Sequence, residues 1–110
     1  MECIFCKIVS GEIGSEKVYE DEEVLAFRDI NPQAPVHILI IPKRHIENLM
    51  EADEEILKRL LLASKEVARR EGIDGRGFRV AVNCGREGGQ VIPHLHFHLI
   101  GGRELKGELG

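Results

Sequence analysis

Residues 94–102 read HLHFHLIGG, and imidazole and hydrocarbon side chains alternate strictly over the first six positions. A period of two is typical of a β-strand, because successive side chains of a strand point to opposite faces of the sheet. We therefore expect three imidazoles on one face, namely those of His94, His96 and His98. Leu95, Phe97 and Leu99 would then pack against the core on the opposite face, and their burial would hold the histidines in register.

The composition limits the functional classes open to this chain. Its 110 residues predict one domain, spanning residues 1–110, with a single core. Hydrophobic residues make up 43%, but no apolar run approaches the roughly 20 residues that a membrane span needs. The net charge is −4 and basic residues are dispersed among acidic ones, so a groove for long nucleic acid is not expected. The first residues lack the pattern of a secretory signal, which predicts a cytoplasmic protein.

Two helices and five strands are predicted along the chain. Apolar spacing predicts a short helix over residues 3–11 and a long helix over residues 54–71, with Asp53 as its N-cap. The predicted strands are residues 17–20, 24–28, 36–42, 77–83 and the histidine run. Because the long helix crosses over one sheet, the class is α+β.

The apolar stripe of the long helix determines which face packs on the sheet. Its members are Ile56, Leu60, Ala63 and Val67. We expect Leu57, Leu61 and Leu62 to support this stripe.

The histidine run has three chemical interpretations. A single strand histidine is more often a core or surface residue than a catalyst, but strict alternation of three weakens that interpretation. Two histidines two positions apart can bind one zinc ion and leave a position open. Alternatively, one imidazole attacks a substrate while its neighbours bind the transferred group. The glycine-rich loop at residues 85–90, together with Asn83 and an imidazolium, would surround a phosphate, which favours phosphoryl or nucleotidyl transfer.

The histidine run resembles the signature of the histidine triad (HIT) superfamily, in which histidines alternate with hydrophobic residues. Further blocks resemble its Hint branch in order and spacing: residues 4–8, 25–30, 32–37, 41–45 and 88–90. The resemblance covers residues 2 to about 103. It implies the HIT fold, with a five-stranded and mainly antiparallel sheet, one long helix and a short N-terminal helix. It also implies a homodimer whose two sheets join into ten strands.

The resemblance further implies hydrolysis of purine nucleoside 5′-phosphoramidates or aminoacyl-adenylates through a nucleotidyl-histidine. His96 matches the nucleophile, His98 matches the residue that hydrogen-bonds the phosphate, and His37 matches a histidine that supports the nucleophile's orientation. Asp29 matches the carboxylate that accepts the ribose hydroxyls. The nucleotide-binding positions that it implies are Ile4, Phe5, Ile8, Phe27, Asp29, Ile30, Asn83, Gly89, Gln90, Val91 and His98.

Val91 departs from the family pattern, since Hint-like members usually carry a serine after the glutamine. A valine offers no hydroxyl to the leaving group. Two other functions stay open, and Val91 favours keeping the second of them. One is a dinucleoside polyphosphate hydrolase, which would release a nucleotide instead of an amine. The other is a nucleotide-binding regulatory module with vestigial activity, which tight binding without turnover would favour.

Cys3 and Cys6 have the CxxC spacing of half a zinc site, although both would also suit small buried positions of the first helix. Three cysteines without an export signal argue against a disulfide framework. The resemblance implies a structural zinc ion with the ligands Cys3, Cys6, His45 and His94. It implies no cofactor for catalysis, because His96 and His98 stay free. Cys84 is then an unligated thiol beside the loop.

Overall fold

The computed structural model of this chain describes residues 2–108. Its elements are α1 (Ile4–Ser10), β1 (Lys17–Glu20), β2 (Val24–Arg28), β3 (Val36–Pro42), a 3-10 turn (Leu49–Glu51), α2 (Glu54–Arg70), β4 (Arg79–Val82) and β5 (Phe97–Gly101). The predicted α+β class and order of elements are confirmed, and the 3-10 turn has no counterpart among the predictions. Within the described part of the chain, neither helix is long and apolar enough to cross a membrane.

The five strands form one antiparallel sheet in the order β1-β2-β3-β5-β4. β3 lies at the centre, and every residue after Val36 in it is buried. This placement agrees with its continuous apolar sequence, which is typical of a strand that is covered on both faces. β5 pairs with β3, with His98 opposite Leu39. The histidine strand therefore lies next to the central strand.

The two faces of the sheet are covered by different helices. On one face, α2 packs its stripe of Ile56, Leu60, Ala63 and Val67. The strand residues that meet this stripe include Leu95, Phe97 and Leu99, as the alternation predicted. On the opposite face, Phe5 and Ile8 of α1 pack against side chains of β2 and β3. Because side chains alternate along a strand, the histidines of the run belong to the α1 face.

Local sequence explains where α2 begins and ends. The Asp53 carboxylate accepts a hydrogen bond of 2.9 Å from the backbone N–H of Ile56, so it caps the first turn. Acidic residues lie in the first turn and basic residues in the last, which complements the helix dipole. Gly72 follows the helix with a φ of 73°, a left-handed conformation that stops helices at low cost in glycine.

The supporting role expected of the other α2 leucines is wrong for two of the three. Leu57 packs against the core, but Leu61 and Leu62 are 52% and 54% exposed. At 3.6 residues per turn, these two positions rotate away from the stripe toward solvent.

The boundaries of the last two strands differ from prediction. β4 covers only Arg79–Val82 of the predicted residues 77–83. Regular pairing of the histidine strand begins at Phe97, because the segment before it bonds elsewhere. The His94 N–H donates to the Ile92 carbonyl at 2.8 Å, and the Leu95 N–H donates to the Ile46 carbonyl at 2.7 Å. The alternation of faces nevertheless continues through this segment.

Candidate active site and metal centre

The three histidines of the run divide between two sites on the α1 face. His94 is fully buried beside cysteine side chains, whereas His96 and His98 line an open cleft. The Phe5 ring of α1 contacts His94 and His96 edge-on, with centroid distances of 5.7 and 5.2 Å. The His96 and His98 rings are 5.0 Å apart. One helix therefore packs against both sites.

The buried site brings together the four residues that the resemblance assigns to zinc. The Cys3 Sγ lies 3.3 Å from His94 Nδ1, and the Cys6 Sγ lies 3.4 Å from His45 Nδ1 and 3.7 Å from His94 Nδ1. All four ligand atoms lie within 4.8 Å of one another. In a tetrahedral zinc site the edge between a sulfur and a nitrogen ligand is about 3.6 Å. Two thiols and two imidazoles at these distances fit a four-coordinate zinc ion.

Backbone contacts select the nitrogen that His94 presents to this site. His94 Nε2 lies 2.9 Å from the Pro42 carbonyl oxygen. A carbonyl only accepts, so Nε2 carries the proton and the Nδ1 lone pair faces the sulfurs, as in metal-bound histidines. Burial lowers the pKa of His94, which keeps the imidazole in its neutral, ligating form. Burial also raises the pKa of the Cys6 thiol, so a metal ion would displace its proton.

The pair Cys3 and Cys6 also organises α1. Cys3 is the N-cap of the helix, and its Sγ accepts a hydrogen bond of 3.4 Å from the Cys6 N–H. The same two sulfurs contact His94, which precedes β5, and His45, which follows β3. The N-terminal helix and the histidine run are therefore joined at one point.

In the cleft, a backbone contact also sets the tautomer of His96. Its Nδ1 lies 2.8 Å from the carbonyl oxygen of His94. Nδ1 must donate there, and the lone pair of His96 is consequently on Nε2. An imidazole with a free Nε2 lone pair is the form that attacks an electrophile.

A relay of hydrogen bonds sets the tautomer of His98. The backbone N–H of Gln33 donates to His37 Nδ1 at 3.0 Å, so the proton of His37 is on Nε2. That Nε2 donates to His98 Nδ1 at 3.0 Å. His98 therefore carries its own proton on Nε2, as a donor for a group bound in the cleft. His37 donates directly to His98. Among residues 2–108, no hydrogen bond joins His37 to His96.

Burial keeps both histidines of the relay neutral. Burial lowers the pKa of His98 to about 4. Burial also lowers the pKa of His37, and the nearby Asp29 carboxylate offsets only part of that effect. His98 would therefore bind an anion through a neutral N–H. Because neither ring gains a second proton near pH 7, the His37 Nε2–H remains the donor and His98 Nδ1 remains the acceptor.

The hydrogen bonds of this relay also argue against a metal ion bound by Asp29, His37 and His98. Asp29, His37 and His98 each place one ligand atom within 4.8 Å of the others, and the Asp29 Oδ2 is 3.4 Å from His37 Nε2. The donor from Gln33 forces the proton of His37 onto Nε2, the nitrogen that would have to bind the ion. The arrangement is a hydrogen-bond network around neutral imidazoles.

The cleft has a volume of about 660 Å³, which suits a small organic ligand. Its lining includes these apolar side chains from α1 and β2: Ile4, Phe5, Ile8 and Phe27. Asp29 and Ile30 line it after β2. Gly89 lines it from the glycine-rich loop, and Asn83 and Val91 line it from either side of that loop. The predicted nucleotide-binding residues therefore surround one cleft, apart from Gln90.

Gln90 is used inside the loop. Its Oε1 accepts from the Gly85 N–H at 2.9 Å, and its Nε2 donates to the carbonyls of Glu47 and Ile92 at 2.7 and 3.0 Å. These bonds brace the loop against the segment after β3. The loop is also tight at Gly88, where a Cβ would collide with the Cys84 carbonyl oxygen.

Sequence reasoning missed the backbone groups that set the tautomers. They are the Gln33 N–H and the carbonyls of Pro42 and His94. The spacing of Gln33 four residues before His37 in a proline-bounded loop was an available signal for the first. The carbonyl contacts have no signature in side-chain identity.

Comparison with known proteins agrees with this architecture. The HIT domain family model matches residues 10–105. The chain is 53% identical to the 14 kDa zinc-binding protein of Brassica juncea, over 94% of this chain and 96% of that protein. It is 52% identical to Adenylylsulfatase HINT1 of Arabidopsis thaliana, over 93% of this chain and 72% of that protein. The crystal structure of a HIT family hydrolase from Legionella pneumophila superposes with a TM-score of 0.95 at 45% identity, covering 99% of this chain and 100% of that one.

The single antiparallel sheet and the cleft built around alternating histidines together place this chain in the class of histidine triad proteins. The chain belongs to the HIT domain family. The resemblance seen in the sequence is thereby confirmed.

Proposed function

We propose that this protein hydrolyses purine nucleoside 5′-phosphoramidates and aminoacyl-adenylates through a covalent nucleotidyl intermediate on His96. The observation that carries this proposal is the bond from His96 Nδ1 to the His94 carbonyl, which leaves Nε2 as a nucleophile in the cleft. The name of the Arabidopsis relative, an adenylylsulfatase, supports an adenylyl substrate.

The reaction proceeds in two displacements. The His96 Nε2 lone pair attacks the α-phosphorus, a P–N bond to the imidazole forms, and the bond to the leaving group breaks. The Nε2–H of His98 hydrogen-bonds a phosphate oxygen and stabilises the charge that develops there. Water then attacks the phosphorus, the P–N bond to His96 breaks, and the nucleoside monophosphate and a proton leave. His96 returns to its neutral form.

The cleft residues suggest how the nucleotide binds. The base packs on the apolar group Ile4, Phe5, Ile8 and Phe27, since a purine presents two apolar faces. The Asp29 carboxylate accepts hydrogen bonds from the ribose hydroxyls, and the Asn31 N–H holds its Oδ1 at 2.8 Å. Asn83 and Gly89 lie beside the phosphate, and Gln90 contributes by bracing their loop. Ile30, at 90% exposure, and Val91 flank the opening.

Denaturing mass spectrometry of protein quenched during turnover tests the intermediate. With an adenosine 5′-phosphoramidate as substrate, we expect wild-type protein to gain the mass of one adenylyl group and the His96→Ala variant to gain none. Nucleotide affinity of the variant should stay within about tenfold, because a nucleophile acts mainly in the transition state. Turnover that survives in His96→Ala contradicts the assignment. Tight binding with unmodified mass and no product would identify a nucleotide-binding module instead. Faster cleavage of dinucleoside polyphosphates would identify the polyphosphate hydrolase.

We also propose that Cys3, Cys6, His45 and His94 hold a structural zinc ion. The fit of four deprotonatable ligands to tetrahedral distances supports this, as does the name of the zinc-binding relative from Brassica. When bound, zinc cross-links α1 to the segments that follow β3 and precede β5. The proposed chemistry in the cleft uses this chain's own side chains.

We propose that two copies associate through β4. This strand forms one edge of the sheet, and its Val80 is 37% exposed. Within residues 2–108 it pairs only with β5, so its outer edge can pair with a second copy to continue the sheet to ten strands. A monomeric mass in light scattering at micromolar concentration would contradict this.

The cytoplasmic location stays a prediction from the sequence, which fractionation of the source cells would test.

A further inference from the structure

We propose that Val91 directs the enzyme toward substrates whose leaving group departs as a stable anion. Acyl and sulfate mixed anhydrides of a nucleotide are then cleaved in preference to amides of unactivated amines. This inference rests on the proposed nucleotidyl transfer through His96 and defines the substrate class of the same cleft.

The loop side of the cleft has no side chain that can give up a proton. Val91 lines the cleft and is 89% exposed, so its isopropyl group meets whatever leaves through the opening. The Asn83 amide donates to the Gly88 carbonyl at 2.7 Å. The Gln90 amide is occupied by hydrogen bonds to the Gly85 N–H and to the carbonyls of Glu47 and Ile92. The backbone N–H groups of Gly89 and Gln90 also donate within the loop, to the carbonyls of Arg86 and Gly85. This side therefore presents Val91 to the leaving group and no group that transfers a proton.

The titratable groups elsewhere in the lining do not supply that proton either. They are Glu16, Arg28, Asp29, His37, His96 and His98. His37 and His98 are neutral imidazoles whose protons are fixed by the relay, and burial opposes their charging. The Arg28 guanidinium is held by the Glu71 carboxylate at 2.9 Å through two nitrogens, and its Nε donates to the Glu16 carboxylate at 2.9 Å. The Asp29 carboxylate accepts from the Asn31 N–H at 2.8 Å. These carboxylates therefore serve as hydrogen-bond acceptors. His96 attacks with the lone pair of Nε2, so that nitrogen carries no proton during the first displacement.

The leaving group then decides the rate of the first displacement. In a mixed anhydride, the electron pair of the breaking P–O bond goes to a carboxylate or sulfate oxygen, which needs no proton. In a phosphoramidate, the pair of the breaking P–N bond goes to nitrogen. An amine must gain a proton as it leaves. On the loop side of this cleft, where Val91 stands, that proton comes from water without a side chain to position it. Anhydrides should therefore be cleaved faster than amides of simple amines.

Val91→Thr tests this inference with a change of one methyl group to a hydroxyl. Threonine keeps the branched shape of valine, and the exposed position lets its hydroxyl relay a proton from water. We expect the ratio of kcat/KM on an alkylamine phosphoramidate of AMP to kcat/KM on acetyl-adenylate to rise at least about tenfold, because general acid catalysis contributes about 10²- to 10⁴-fold at most sites. Across adenosine phosphoroanilidates with different ring substituents, the dependence of the rate on leaving-group basicity should become shallower.

Val91→Ala is the matched control, since it changes the bulk without adding a hydroxyl and should not reproduce the rise. Val91→Ser repeats the comparison if the threonine variant folds poorly. An unchanged ratio in the hydroxyl variants, or an equal rise in Val91→Ala, overturns the inference while the adenylyl adduct on His96 still forms. Failure of wild-type protein to form that adduct overturns the proposed function, and the inference falls with it.

Discussion

At the scale of single residues, tautomers determine what the histidines of this site can do. Three imidazoles of similar sequence context differ in the nitrogen they present, because different groups contact them from behind. His94 presents Nδ1 to the cysteines, and His96 presents an Nε2 lone pair to the cleft. His98 presents an N–H, because His37 donates to its other nitrogen. The order of histidines along the strand therefore matters less than the partner behind each ring.

Removing His37 should lower the rate more than the affinity. In His37→Ala, no side chain donates to His98 Nδ1, so the His98 proton is free to move to that nitrogen and the phosphate loses its donor. We expect kcat to fall about tenfold to a hundredfold with a smaller change in KM, measured by steady-state hydrolysis of an adenosine phosphoramidate. Nitrogen-15 NMR of the ring nitrogens should show a mixed tautomer at His98. His37→Gln, which keeps a side-chain N–H donor, should recover part of the rate. Wild-type kinetics in His37→Ala would show that the relay has no catalytic role.

At the scale of elements, α1 is a short helix that two sites hold in place. Cys3 and Cys6 contact His94 and His45, and Phe5 packs on the rings of His94 and His96. A helix of seven residues has little stability of its own, because helix nucleation is costly. Its position over the cleft therefore depends on these tertiary contacts.

Loss of one thiol should release this helix without damaging its cap. Serine is a better N-cap than cysteine, so Cys3→Ser retains the local capping bond while removing a zinc ligand. We expect lower zinc content by elemental mass spectrometry and a fall in Tm of roughly 10 °C or more. The kcat should change less than in His96→Ala. Cys84→Ser is the control and should keep full zinc. A wild-type protein that contains no zinc, with Cys3→Ser equally stable, would dispose of the metal site.

At the scale of the whole molecule, folding buries histidines in their neutral form, and this makes stability depend on pH. The folded pKa of His98 is lowered by burial to about 4, below its usual value of about 6.5. The unfolded chain therefore binds more protons between these two values, and the free energy of unfolding falls as pH falls through that window. The lowered pKa of His37 acts in the same direction.

We expect the Tm of wild-type protein to fall between pH 7 and pH 4.5, and to fall less in His98→Asn, which has no proton to gain. Differential scanning calorimetry at matched ionic strength measures both. Equal pH dependence of the two proteins would show that His98 is not a neutral buried imidazole. Zinc content is measured at each pH, and the two proteins are compared only at pH values where their zinc contents match, since loss of metal would also lower Tm.

Local sequence determined much of this protein. The period of two in residues 94–99, the proline-bounded run of β3 and the stripe of α2 predict their elements, because periodicity and capping act over a few residues. Only the tertiary structure decided which atoms meet. His37 and His98 are 61 residues apart, and Gln90 turns into its loop because carbonyls from distant segments accept its protons. Such contacts depend on how β3 and β5 align, and no local pattern specifies the carbonyl that selects each tautomer.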